Sequence, residues 1–170
     1  MLVIRDGRAD ELDEIADLIA AAYAQFGPPP GSAKELVDAF DEYRVDQRDV
    51  WSRLVDSQLI VAEEEGRLVG AVTFYPPGAE KKSERWPPEW AAFRLLAVPP
   101  DARGKGVGRA LTDECLRRAR DLGAPVMGLH TTIVMDVARA MYERMGFTRF
   151  PENDFPITDD FVVMAYTLPL

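Results

Sequence analysis

Leu12, Ile15, Ile19, Ala22, Tyr23 and Phe26 recur at three- and four-residue steps, the spacing that aligns side chains on one face of an α-helix. Acidic Asp10, Glu11, Asp13 and Glu14 fall in its first turns, where the positive end of the helix dipole favours them. A short apolar run, Leu2 to Arg5, precedes it and reads as a strand. Gly27-Pro28-Pro29-Pro30-Gly31 ends the helix, because proline cannot continue it and disfavours helix in the residue before. Ser32 is a plausible N-cap for a second helical stretch, which runs with some interruption to about Val55.

Beyond Val55 the period changes. Leu59 to Ala62 and Leu68 to Tyr75 are apolar, partly β-branched runs joined by Glu63-Glu64-Glu65-Gly66-Arg67, the pattern of a β-hairpin. Pro76 to Pro88 is a loop long enough to lie near a functional surface. Ala91 to Val98 is a third apolar run, stopped by Pro99-Pro100. Val107, Leu111, Cys115, Ala119 and Leu122 return to helical spacing. Val126 to Thr131 reads as a strand, Val134 to Met145 as a helix, and Phe147 to Phe150 and Phe161 to Leu168 as closing strands. Alternating strands and helices in the second half imply a parallel pair, and the hairpin implies antiparallel strands beside it. The expected class is α/β (α+β): a single mixed, mostly antiparallel sheet of about six to seven strands with helices on both faces. With 170 residues and no visible boundary, residues 1–170 are expected to form a single domain.

Composition narrows the function. A hydrophobic share of 47% and a charged share of 29% suit a packed domain, and no apolar run approaches the ~20 residues of a membrane span. The opening Met1-Leu2-Val3-Ile4-Arg5-Asp6 lacks a basic region followed by an apolar core, so a secretory signal is not expected. The single cysteine, Cys115, rules out an internal disulfide, and with one histidine, His130, no metal site is expected. A net charge of −9 argues against general nucleic-acid binding and for a cytoplasmic protein.

That charge is uneven. Residues 101–120 carry +3, which leaves −12 on the remainder. Inside the positive island, Arg103-Gly104-Lys105-Gly106-Val107-Gly108-Arg109 joins the end of a buried strand to the start of an amphipathic helix. Glycines at alternate positions let backbone N–H groups converge, and a helix start adds unpaired N–H groups, so an anion such as a phosphate fits there. A plain glycine-rich turn with solvated charges is the competing reading. Walker-type chemistry is excluded, since Gly106 rather than Ser or Thr follows Lys105. The G-x-G-x-G spacing also misses the dinucleotide fingerprint by one residue.

Leu95-Leu96-Ala97-Val98-Pro99 followed by Arg103-Gly104-Lys105-Gly106-Val107-Gly108 resembles the acyl-CoA-binding motif of the GNAT-superfamily N-acetyltransferases. Ala138-Arg139-Ala140-Met141-Tyr142-Glu143-Arg144-Met145-Gly146-Phe147 resembles that family's second signature. The resemblance is strong over about residues 91–150. It implies a central splayed parallel strand pair and acetyl-CoA as acyl donor. Leu96, Ala97 and Val98 would then meet the pantetheine arm, with an amide there for the developing oxyanion. Backbone amides from Arg103 through Gly104, Lys105, Gly106, Val107 and Gly108 to Arg109 would hold the pyrophosphate, with the Arg103 and Lys105 side chains nearby, and Tyr142 would be the general acid for the departing thiolate. Tyr142 also fits a half-buried packing role at the edge of its helix face.

Two positions depart from the family pattern. Met135 stands where an Asn is common, and Ala91-Ala92-Phe93-Arg94 offers no glutamate to act as base. Pro151-Glu152-Asn153-Asp154-Phe155 supplies carboxylates for an acceptor site or forms an ordinary polar loop. His130 reads as a hydrogen-bonded strand residue and Cys115 as core. Trp86 and Trp90 either wall a pocket or anchor their loop, and Phe26 and Tyr75 are weaker pocket candidates. The expected function is acetyl transfer from acetyl-CoA to a primary amine by direct attack in a ternary complex. The acceptor is expected to be cationic, drawn by the acidic surface. A non-catalytic acyl-CoA sensor is the alternative, an adenine-nucleotide binder a third reading, and a homodimer is left open against a monomer.

Overall fold

The computed structural model describes residues 1–80 and 86–170. The chain runs β1 (Leu2–Asp6), α1 (Leu12–Tyr23), α2 (Lys34–Arg48), α3 (Val50–Arg53), β2 (Gln58–Glu64), β3 (Arg67–Tyr75), β4 (Ala91–Ala97), α4 (Val107–Asp121), β5 (Val126–Thr132), α5 (Asp136–Arg144), β6 (Thr148–Arg149), β7 (Phe155–Thr158) and β8 (Phe161–Pro169). One sheet orders these strands β1-β2-β3-β4-β5-β8-β6, with β7 also paired to β8. Every pairing is antiparallel except β4 with β5.

The expected mixed sheet is therefore present, with eight strands rather than six to seven. The added strand, β7, begins in the stretch read as a polar loop. Its four residues include Pro156, which an edge strand tolerates because the missing proline N–H can fall on the unpaired side. The single helical stretch expected from Ser32 to Val55 divides at Asp49, whose carboxylate accepts the Ser52 N–H at 3.2 Å and starts α3. Part of the Pro76–Pro88 loop, residues 81–85, lies outside the described residues.

β2 and β3 are apolar on both faces because helices cover both. On one face Ile60, Val72 and Phe74 pack with Leu111, Cys115 and Leu116 of α4. On the other, Val61, Ala71 and Leu95 pack with Ile15 and Ile19 of α1. Cys115 is fully buried, and that burial pushes its thiol well above the ordinary range, so it is core and not a nucleophile.

Strands β4 and β5 pair only at Ala91 with Met127 and at Ala92 with Gly128, and beyond these they diverge. On the other side of β4, Ala71 faces Ala97 while Thr73 faces Arg94, so two steps along β3 are matched by three along β4. β4 thus carries one extra residue, a bulge, and Leu95 within it holds φ at +55°. A left-handed conformation at a non-glycine residue costs roughly 1–3 kcal/mol, held by the packing of Leu95 under α1.

α4 is seated against this strand pair by close approach to β3. A Cβ at Gly70 would lie 2.8 Å from Val107 Cγ1 and 2.9 Å from Leu111 Cδ1. Gly70→Ala is expected to destabilise the protein by about 1–3 kcal/mol through overpacking. Urea denaturation checks this, and parent-like stability would mean that α4 is not seated this closely.

Candidate functional site

The divergence of β4 from β5 opens a cleft of ≈ 1280 Å³, with α1 and α2 on one side and α4 and α5 on the other. At its α4 end, Gly104 and Gly106 have φ of +76° and +80°, and a Cβ at either would meet nothing within 4 Å. These left-handed residues turn the chain sharply from the strand end into the helix. The N–H groups of Gly106, Val107, Gly108 and Arg109 make no backbone hydrogen bond among the described residues, and Gly106 supplies no side-chain cap. Four unpaired donors and the positive helix end therefore converge at the cleft wall.

The basic side chains around this loop have different duties. Arg103 Nε donates to the Val98 carbonyl at 2.9 Å and Nη2 to the Ala22 carbonyl at 3.1 Å. Its guanidinium also lies 6.0 Å from the centroid of the Phe26 ring. Arg103 therefore ties the loop to the C-terminal turn of α1. Arg109 lines the cleft, with Nε 3.5 Å from Asp113. Lys105 is exposed, 3.7 Å from Glu64, and its side chain does not line the cleft.

Leu96 and Val98 face the cleft along the freed edge of β4, while the methyl of Ala97 packs into the core beneath α1. The Tyr23 hydroxyl donates to the Leu96 carbonyl at 3.1 Å, so α1 holds the bulge from above. Tyr142 faces the cleft across from β4. It is 5% exposed, with its ring centroid 5.9 Å from Phe93 and 5.8 Å from Phe147. The packing role and the cleft position thus coexist in one residue. Burial pushes the Tyr142 phenol well above its ordinary range, so it keeps its proton at neutral pH. The Thr131 hydroxyl on β5, 3% exposed and lining the same cleft, makes no hydrogen bond among the described residues.

At the far end, the position where a base was sought on β4 holds Arg94. Its Nη2 donates to Asp46 Oδ2 at 2.9 Å, and Tyr43 stands beside it. The sequence analysis missed Tyr43 and Asp46. Their signal was the spacing Leu36, Phe40, Tyr43, Gln47 on α2, all of which line the cleft.

Other candidates are placed elsewhere. Asp154 is held by Arg149 at 2.6 Å and by the Ala165 N–H at 2.7 Å, away from the cleft. Glu152 is exposed and does not line it either. Trp86 and Trp90 stack at 5.9 Å and pack on Ala92, Ala165 and Phe150, so they anchor their loop and do not line this cleft. Phe26 lines the cleft and Tyr75 does not. The ring of His130 reaches the cleft, and its Nε2 lies 2.9 Å from the Asn153 carbonyl. A carbonyl can only accept, so Nε2 carries the proton and the strand-histidine reading holds. Charged residues line both ends of the cleft: Arg103 and Arg109 stand at the α4 turn, and Arg44 and Arg94 stand with Glu42 and Asp46 on the α2 side.

A model of the acetyltransferase (GNAT) family matches residues 16–147. A mycothiol acetyltransferase of Cellulomonas flavigena is 38% identical over 91 residues, which is 53% of this chain and 26% of that protein. Another from Propionibacterium freudenreichii is 32% identical over 142 residues, 83% of this chain and 41% of that protein. The chain thus spans less than half the length of these relatives. Among solved structures, PaiA N-acetyltransferase from Thermoplasma acidophilum in complex with coenzyme A superposes with a TM-score of 0.69. It is 15% identical and covers 97% of this chain and 98% of that one. A strand that peels from its parallel neighbour, a glycine turn into a helix start, and a family match over most of its length agree: the chain belongs to the GNAT family of acetyltransferases.

Proposed function

We propose that the protein is an N-acetyltransferase that moves an acetyl group from acetyl-CoA to a primary amine by direct attack in a ternary complex. One observation carries the reading. A single cleft joins the unpaired N–H groups of the Gly104–Arg109 turn, the freed edge of β4 and the protonated Tyr142.

Each part has a distinct task. The pyrophosphate of the donor sits on the helix start, where unpaired N–H groups and the dipole both favour negative charge. The pantetheine arm lies along Leu96 and Val98, taking hydrogen bonds that β4 no longer gives to β5. The amine nitrogen attacks the thioester carbon, the N–C bond forms and the C–S bond breaks. A β4 amide near Leu96 stabilises the oxyanion, and Tyr142 gives its proton to the leaving thiolate. The ammonium proton leaves to solvent or as the amine binds, since Arg94 stands where a base was sought. The resemblance-derived set, Leu96, Ala97, Val98, Arg103, Gly104, Lys105, Gly106, Val107, Gly108, Arg109 and Tyr142, is retained with one refinement. Arg103 serves by bracing the loop, and Ala97 and Lys105 contribute backbone.

Three measurements test the reading. Release of CoA thiol with a panel of primary amines is expected, and tight acetyl-CoA binding with no turnover on any amine would favour the sensor. Gly108→Ala isolates the donor site. Its Cβ would meet Met141 Sδ at 3.6 Å, Val98 Cγ2 at 3.7 Å and Leu96 Cδ2 at 3.9 Å, ordinary contacts within the protein. Alanine in a helix gains up to about 1 kcal/mol over glycine, so the melting temperature should hold or rise. The methyl points at the cleft, so CoA affinity should fall about tenfold or more, worth ~1.4 kcal/mol. Parent-like CoA affinity would sink the loop assignment.

Tyr142→Phe is expected to lower kcat by up to ~10²-fold with acetyl-CoA affinity nearly intact, the lower range because a thiolate leaves readily. No alkaline fall in kcat from loss of the Tyr142 proton is expected below the ordinary tyrosine range, since burial raises its pKa. Equal losses of stability and activity would make Tyr142 a packing residue alone.

A further inference from the structure

We infer that Arg94 holds a carboxylate of the acceptor, which makes the acceptor an amino carboxylic acid with an apolar side chain. This rests on the acetyl-transfer reading for the identity of the reaction, and on the cleft geometry for the recognition.

Arg94 lies on β4 and faces the cleft that Leu96 and Tyr142 also line, and its side chain retains 36% of its exposure. Asp46 is its carboxylate partner and does not belong to Arg94 alone. The Arg53 guanidinium lies 3.9 Å from the same carboxylate, and the exposed Asp49 attracts Arg53 from the other side. Arg53 is only 5% exposed at its side chain and gives its Nη1 and Nη2 groups to the Asp46 and Gln47 carbonyls at the end of α2. Two guanidiniums therefore converge on Asp46, and Arg94 is the one of them that opens to the cleft.

A guanidinium presents five N–H donors in a rigid fork. Arg94 gives Nη2 to Asp46 and meets the Tyr75 hydroxyl, which leaves donor capacity toward the groove. A half-exposed Arg–Asp pair contributes only about 0–1 kcal/mol to stability, a small return for placing a cation among Tyr43, Tyr75 and Tyr23. The arrangement suits recognition better: a planar fork, fixed by one carboxylate, waiting for a second in the bidentate geometry that arginine favours.

Position sets the acceptor's size. Arg94 precedes Leu96 by two residues, at most about 7 Å of chain, so the carboxylate lies within a few bonds of the reacting amine. Beyond Arg94 the cleft is walled by Leu36, Phe40, Ile157 and Phe161, with the Phe40 and Phe161 rings edge-on at 5.6 Å. An apolar side chain of the acceptor fits against them.

The test compares apolar α-amino acids with their decarboxylated amines, phenylalanine with phenethylamine among them. Binding to the CoA-loaded protein is measured by calorimetry, and turnover separately by release of CoA thiol. The parent protein is expected to bind the amino acids more tightly. In Arg94→Gln the affinity ratio of amino acid to amine is expected to fall about 10- to 100-fold, the range for a hydrogen-bonded charge pair. Arg94→Lys, which keeps the charge and loses the fork, should restore part of that ratio. Should Arg94→Gln fail to fold, Asp46→Asn reads the same contact in the opposite sense, because removing the internal carboxylate should raise the ratio. Parent protein that binds the decarboxylated amines as tightly as the amino acids overturns the inference, as does Arg94→Gln weakening both alike. Carboxylate-dependent binding without release of thiol upholds the inference and overturns acetyl transfer.

Discussion

The bulge in β4 is the constraint on which the rest of the molecule depends. One extra residue between Ala97 and Arg94, with Leu95 forced to φ +55°, rotates the strand out of register with β5 after only two paired residues. An unbroken parallel pair would close the sheet and leave no cleft. The strain at Leu95 persists because its surroundings hold it: its side chain is buried under α1, and the Tyr23 hydroxyl caps the Leu96 carbonyl. The same divergence leaves Leu96 and Val98 at a strand edge inside the protein, where hydrogen-bonding capacity is available to an extended ligand. Sheet edges are usually a hazard; here helices on both sides of the sheet keep the edge inside a cleft, away from edge-to-edge pairing.

Electrostatics in the cleft follow from which charges are braced and which are free. Arg103 sits at the start of the Gly104–Arg109 turn, but the Val98 and Ala22 carbonyls and the Phe26 ring occupy it. Its contribution is to hold the turn against α1, so that the unpaired N–H groups keep their direction when nothing is bound. Four such donors arranged in advance would cost little reorganisation when an anion binds, an advantage of backbone amides over flexible lysines. The outward orientation of Lys105 toward Glu64 is consistent with that division.

How much of this was legible in the chain depends on how local the physics is. The turn from Val98 to Arg109 was readable because its signal lies within a dozen residues: a strand stop at Pro99-Pro100, glycines where φ must be positive, and helical spacing after Val107. Tyr142 was readable for the same reason, through its neighbours Met141, Gly146 and Phe147. The bulge was not. Nothing in Phe93-Arg94-Leu95-Leu96 demands a left-handed leucine, and the register that creates it belongs to β3 and α1 as much as to β4. Strand β7 escaped because Pro156 argues against a strand unless that strand is known to lie at an edge, which only the sheet order reveals. Asp46 and Tyr43 escaped because they are remote from Arg94 in the chain and meet it only when α2 folds across the sheet.

The cleft shows most clearly where whole-chain charge stops being useful. A net charge of −9 is spread over an exposed surface, where salt screens each charge within ~8–10 Å. Arg94 stands in a cleft among aromatic rings, where the effective dielectric is lower and each interaction is correspondingly stronger. A ligand approaching the protein meets the acidic exterior first, and that field affects its rate of arrival. Inside the cleft the guanidinium of Arg94 acts at close range, with the opposite sign. An amino acid acceptor, as inferred above, would answer to both: its ammonium to the surface and its carboxylate to Arg94.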